Sequence, residues 1–162
     1  TAAKLDRLSA ELRGAWLGRQ VLTGWVHGDL WPGNVLLGWE PGTPRVSGIV
    51  DWENARVVGL PDTDLVHWWL TTQPGELGSA VLDALERPDG LRADLARLGV
   101  ELPNENLEIE HLVLQTWLWH VEAGLARAST NRVGLVWLAR NVGPVIKWFG
   151  VGNRKTRAGG LR

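Results

Sequence analysis

Cysteine is missing from all 162 residues, and with it go disulfides, thiolate nucleophiles and every cysteine-ligated zinc site. That absence fits a reducing compartment, so the chain is expected in the cytoplasm. Methionine and tyrosine are missing too, and phenylalanine occurs once. Neither sign of charge dominates: 17 Lys and Arg stand against 18 Asp and Glu, a formal net charge of −1. The balance argues against a nucleic-acid surface or a polybasic membrane anchor. No apolar run approaches the roughly 20 residues that cross a bilayer, and no signal peptide is visible. A glycine-rich phosphate loop or Walker-type motif is also lacking. The length suits one domain with a real core, and most of the 11 Trp are expected in that core. With no Met, and Thr1 leading straight into a helical pattern, the chain is expected to be a piece of something longer.

The stretch that organises the chain runs from Val26 to Asn54. Asp29 and Asn34 stand in a short loop rich in Gly and Pro, Val35 to Trp39 reads as a strand, and Val46 to Trp52 reads as its return. Pro41 and Gly42 supply the turn between them. A hairpin centred near Gly42 and Thr43 puts Asn34 opposite Asp51, with Asp29 a loop away. Such hard oxygen donors suit Mg²⁺, which takes one or two carboxylates together with water and substrate phosphates. His27, between an apolar residue and the loop, reads as a buried structural histidine. Asp64 sits where it can cap a helix starting at Leu65. Glu53 reads as a solvated carboxylate.

Helical periodicity fills the rest. Leu5, Leu8, Leu12, Trp16 and Leu17 stripe a helix within 2–24. Leu65, Trp68 and Trp69 mark a short buried helix, and Leu77 to Leu85 a second, stopped by Pro88-Asp89-Gly90. Leu91, Leu95 and Leu98 give a third, with Gly99 as its C-terminal cap. A long helix is predicted from Glu105 to Arg127, apolar along Leu107, Leu114, Trp117, Leu118, Val121 and Leu125. A last one runs from a Thr130 cap to Phe149, kinked at Pro144. His111 and His120 are nine apart, a spacing that does not put both on one metal, so both read as ordinary polar residues. The fold class is therefore mainly α (α+β): one domain over 1–149 with a single β-hairpin, then a disordered basic tail over 150–162.

His-Gly-Asp at 27–29, Asn34 five residues after that Asp, the strand ending Ile-Val-Asp-Trp-Glu at 49–53, and Gly59-Leu60-Pro61-Asp62-Thr63-Asp64-Leu65 together resemble the aminoglycoside phosphotransferase family. Leu60 departs, standing where the family usually has Asp. The resemblance implies a protein-kinase-like fold, of which this chain is the helical C-terminal lobe. It implies ATP- and Mg²⁺-dependent phosphorylation of a small-molecule hydroxyl. Asp29 would position or deprotonate the acceptor, Asn34 and Asp51 would hold Mg²⁺ on ATP, His27 and Asp64 would support the site, and Asp64 would brace the catalytic loop. Only 26 residues precede His27, and Lys4 is the one Lys among them. The family's β-rich N-terminal lobe, with its phosphate-pairing Lys and adenine hinge, does not fit into that length. The chain alone is thus expected to be inactive and to expose an apolar face, where the missing lobe packs or copies self-associate. Aminoglycosides, macrolides, sugars and amino alcohols are all acceptors in such families, and the Trp68-Trp69 and Trp117-to-Trp119 stretches read as core packing ahead of pocket lining. Two other readings stand beside this one: a non-catalytic kinase-like binding or scaffold module, and a metal-dependent phosphohydrolase built on His27, Asp29, Asn34 and Asp51.

Overall fold

The structure is a computed structural model and describes residues 2–128 and 135–151. Its elements run α1 (Ala2–Trp16), β1 (Gly24–Val26), β2 (Val35–Glu40), β3 (Thr43–Ile49), β4 (Arg56–Gly59), α2 (Pro61–Thr72), α3 (Leu77–Glu86), α4 (Pro88–Arg97), α5 (Ile109–Ala128), α6 (Leu135–Asn141) and α7 (Gly143–Val151). The class is α+β and mainly helical. Two small antiparallel sheets form among the described residues, β1 with β4 and β2 with β3, where the sequence suggested a single hairpin. β1 and β4 escape pattern reading because three or four residues are too few to show alternation.

The helices share one core. Leu8 and Leu12 of α1, Val66 and Leu70 of α2, Val81 and Ala84 of α3, Leu91 and Leu95 of α4, and Leu112, Val113 and Trp117 of α5 are all buried. Each set recurs at three- or four-residue steps, which is how a helix keeps one face inward. Trp117 is fully buried and its indole N–H donates to the Asn141 carbonyl at 2.9 Å. Asn141 also accepts the Gly78 N–H on its side-chain oxygen, so one buried amide ties α3, α5 and α6 together.

Several boundaries move, each for a local reason. α1 ends at Trp16, and Leu17, expected on the apolar stripe, is 86% exposed. α3 ends at Glu86, just before Pro88 as expected, but Pro88 also starts α4, since the first helical position needs no N–H. Gly99 (φ +70) closes α4: its N–H reaches the Ala96 carbonyl and the Val100 N–H reaches Leu95, a Schellman motif. α5 begins at Ile109, which leaves Glu105 and Glu108 before the helix, and Leu125 is half exposed. Pro144 separates α6 from α7 where a kinked single helix was expected; the Asn141 carbonyl is turned to Trp117 instead of the next helical turn. Thr130 and residues 152–162 of the expected tail lie outside the described residues, while residues 150 and 151 close α7.

Tryptophan departs most from expectation. Among the 11, only Trp69 and Trp117 are buried, whereas Trp25, Trp31, Trp39 and Trp52 are exposed. With Leu36, Leu37, Val46, Ile49 and Val50 they make the hairpin region an exposed apolar surface. No helix among the described residues is long and apolar enough to cross a membrane.

A buried pair fixes the segment before β1 to α2. Asp62 is fully buried and accepts two bonds from Asn104, from the backbone N–H at 3.0 Å and from Nδ2 at 2.5 Å. Asn104 then bonds both the N–H and the carbonyl of Leu22. Asn104→Ala removes one of the two donors to a buried carboxylate and both side-chain bonds to Leu22, so it should cost about 3 kcal/mol in urea unfolding. A loss below about 1 kcal/mol would mean that solvent reaches Asp62.

Candidate functional site

β1 leads into the loop at His27, and α2 holds that loop from below. Asp64 Oδ2 accepts the His27 N–H at 2.6 Å, and Oδ1 accepts the Gly28 N–H at 2.9 Å. The capping role expected for Asp64 does not occur. α2 starts at Pro61, so Asp64 lies inside the helix and its carboxylate serves the loop. Leu60, the departure from the family pattern, is the N-cap residue and makes no side-chain cap bond. Gly28 has φ +78, and a Cβ there would run into the backbone carbonyl of Asn54. Only glycine fits that close approach.

His27 holds the loop from the hairpin side. Its Nε2 lies 2.8 Å from the Val50 carbonyl, and its Nδ1 lies 3.3 Å from the Asp29 N–H. A carbonyl only accepts and an amide only donates, so the ring is neutral with its proton on Nε2. Trp52 covers it at 4.6 Å between ring centroids. Both nitrogens are committed to backbone.

Asp29 is gripped at every polar group. Its N–H goes to His27, its carbonyl accepts Asn34 Nδ2 at 2.9 Å, and its carboxylate Oδ1 lies 3.2 Å from His67 Nε2. The carboxylate keeps 23% exposure. Asn34 is buried, and with Nδ2 spent on Asp29, Oδ1 is the atom it can offer an ion.

Asp51 does not stand opposite Asn34. The turn residues are Pro41 and Gly42, and an irregularity between Leu36 and Leu37 shifts the pairing, leaving Val35 opposite Ile49. The Val50 N–H then donates to the Asn34 carbonyl at 3.0 Å, so Asn34 faces Val50 and Asp51 lies one residue beyond it. Asp51 is exposed and left-handed (φ 65, ψ 56), and it turns the chain out of β3 into a short 3₁₀ turn at Trp52–Asn54 that carries the exposed Glu53. Its direction is set by that turn, not by strand register.

Two histidines at the site were not foreseen. His67, on α2, is buried and stacks on His120 of α5 with centroids 3.6 Å apart and planes 17° apart. Asp29, His67 and His120 offer donor atoms that lie within 4.8 Å of one another. Pairing His120 along its own helix missed this, because its partner comes from a different helix. Beyond them, Arg56 lies over the Trp119 ring at 4.2 Å, beside a cavity of about 440 Å³ also lined by Thr63, Gln115 and Glu122.

Residues 1–99 match the profile of APH, described as a phosphotransferase enzyme family. No curated protein and no solved structure gives a significant match.

The brace makes a direct prediction. Asp64→Asn sets an NH₂ against one of two N–H groups and removes the charge that strengthens both bonds. Hydrogen exchange at the His27 and Gly28 amides should quicken about 10- to 100-fold, while core amides such as Trp117 keep their protection. Equal acceleration everywhere would show global destabilisation instead of a released loop.

Proposed function

The chain belongs to the phosphotransferase enzyme family, and from that premise we propose that it moves the terminal phosphoryl group of ATP onto a hydroxyl of a small molecule. The observation that carries this reading is Asp29, held through its N–H, its carbonyl and one carboxylate oxygen while its side chain stays partly open. A carboxylate fixed in that way suits one task in phosphoryl transfer, aligning a hydroxyl and receiving its proton. The acceptor oxygen forms a bond to the γ-phosphorus as the bond to the β,γ-bridging oxygen breaks. The hydroxyl proton passes to Asp29, and ADP departs with the electron pair.

Asn34 Oδ1 and the Asp51 carboxylate are hard oxygen donors, a set that fits Mg²⁺. Bound there, Mg²⁺ would neutralise charge on the nucleotide phosphates. His27 and Asp64 support the site, the first between Val50 and Asp29, the second beneath His27 and Gly28. The cavity beside Trp119 and Arg56 is the acceptor pocket this reading offers, since it shares α5 with His120. The apolar side chains exposed on β2 and β3 are, on the same reading, where the family's β-rich lobe packs. The proposed compartment is the cytoplasm, in keeping with the cysteine-free composition.

Asp29→Asn in the complete protein should lower kcat by about 10²- to 10⁴-fold with Mg–ATP affinity near normal. Assays against a panel of aminoglycosides, sugars and amino alcohols check it, and a near-normal kcat would remove Asp29 from the chemistry. Asp51→Ala should abolish Mg²⁺-dependent nucleotide binding, and Asn34→Ala should weaken it less, because a charged carboxylate holds a hard cation more strongly than an amide. Calorimetric titration of Mg–nucleotide into each variant separates the two. Small, equal effects would place the magnesium elsewhere.

A further inference from the structure

We propose that Asp29, His67 and His120 form a binding site for a borderline divalent cation, best suited to Zn²⁺ and separate in chemistry from the oxygen pair of Asn34 and Asp51. The donor set decides the class of ion. Two imidazoles and one carboxylate favour Zn²⁺ and its neighbours, whereas Mg²⁺ takes oxygen throughout. The spacing agrees: His67 Nε2 and Asp29 Oδ1 are 3.2 Å apart, close to the edge of about 3.3 Å between ligands about 2.0 Å from a tetrahedral zinc. All three donors lie within 4.8 Å of one another, and a fourth position is left for water or a ligand.

His67 Nδ1 is buried with no hydrogen-bond partner, on a side chain only 7% exposed. Without an ion, the proton on Nε2 meets the Asp29 carboxylate at 3.2 Å. An ion between Nε2 and Oδ1 takes that proton's place and sends it to Nδ1, which has no acceptor, so ligation must outweigh one unsatisfied donor. The rings of His67 and His120 stand nearly parallel, so sharing one ion requires a tilt. His67 is buried and His120 partly exposed, so the tilt falls to His120. It also lies outside residues 1–99, the part of the chain that matches the family.

The site has a consequence that rests on the phosphotransferase reading. A zinc ion on Asp29 occupies the carboxylate that would take the acceptor's proton, so zinc would arrest transfer. The test measures binding directly and needs no turnover. Zn²⁺ is titrated calorimetrically into the untagged full chain in buffer holding excess Mg²⁺, and Co²⁺ is titrated in parallel by absorption. One ion per chain should bind despite the Mg²⁺. His120→Ala should weaken binding by at least about 10- to 100-fold with little change in Tm, since even outer-shell partners of a metal contribute that much. His111→Ala, which removes the histidine beside Glu108, should bind as tightly as the parent. Equal zinc affinity in the parent and in His120→Ala, or no binding by the folded parent, would overturn the proposal. Zinc binding by a chain that transfers no phosphate would leave the site standing and remove only the functional reading.

Discussion

The structure around the loop depends on one carboxylate. Asp64 takes two backbone N–H groups, from His27 and Gly28, and so fixes the direction in which the chain leaves β1. Three residues later on the same face of α2 stands His67, which reaches the side chain of Asp29. One face of one helix thus sets both the backbone of the loop and the carboxylate it presents. α2 is in turn anchored at Asp62 through Asn104, and in the core through Val66 and Leu70. Position passes from packed side chains to a helix, from the helix to two amides, and from them to Asp29. A site carried on a helix is held more closely than one left to a free loop.

This dependence explains what was legible beforehand. Asp29, Asn34, Asp51 and Asp64 fall within one contiguous stretch, so their spacing together with the family resemblance it carries marked them. His67 and His120 are far apart in sequence and meet only because α2 packs on α5, a fact with no local signature. Periodicity found α1 to α5 in outline and ran α6 and α7 together, because burying one face is a local property of sequence whereas the break between them is not. Proline at residue 88 was read in only one of its two roles: it ends α3 as expected, and it also begins α4 at the first turn. Tryptophan was misread for a different reason. Trp25 and Trp39 lie on short strands whose side chains stay exposed, and a large apolar residue carries no mark of which surface will cover it.

The hairpin shows how far register reasoning goes. Turn and strands were placed correctly in outline, yet the turn centres one residue early, at Pro41 and Gly42. The irregularity between Leu36 and Leu37 recovers only one of the two residues of register, leaving Asn34 opposite Val50 instead of Asp51. In a regular strand that step reverses the face on which a side chain stands. Here Asp51 leaves the strand altogether through a left-handed backbone, a conformation that costs a non-glycine residue roughly 1–2 kcal/mol. Asp is among the residues that tolerate it, and such strain gathers at functional positions. The cost is offset by what the turn achieves next: the chain reverses through Trp52–Asn54 into β4, which closes beside β1. The Asn54 carbonyl then lies so close to Gly28 that no side chain fits between them.

Asp29 therefore stands between two different donor environments on one short loop. On the Asn34 side the donors are oxygens, suited to an ion that keeps its water and meets phosphates. Toward α2 and α5 they are imidazoles, suited to an ion that surrenders water and takes nitrogen. The carboxylate is common ground, and its two oxygens cannot serve an acceptor hydroxyl and a tightly held cation equally well. Selection between these uses comes from donor softness and not from charge, because both ions are divalent. The imidazole pair sits on helices joined through the core, whereas Asp51 sits at the exposed end of a strand. The nitrogen side is thus placed by core packing but must tilt one ring to close on an ion, and on the proposed reading the oxygen side would gain its geometry when nucleotide phosphates complete the coordination shell.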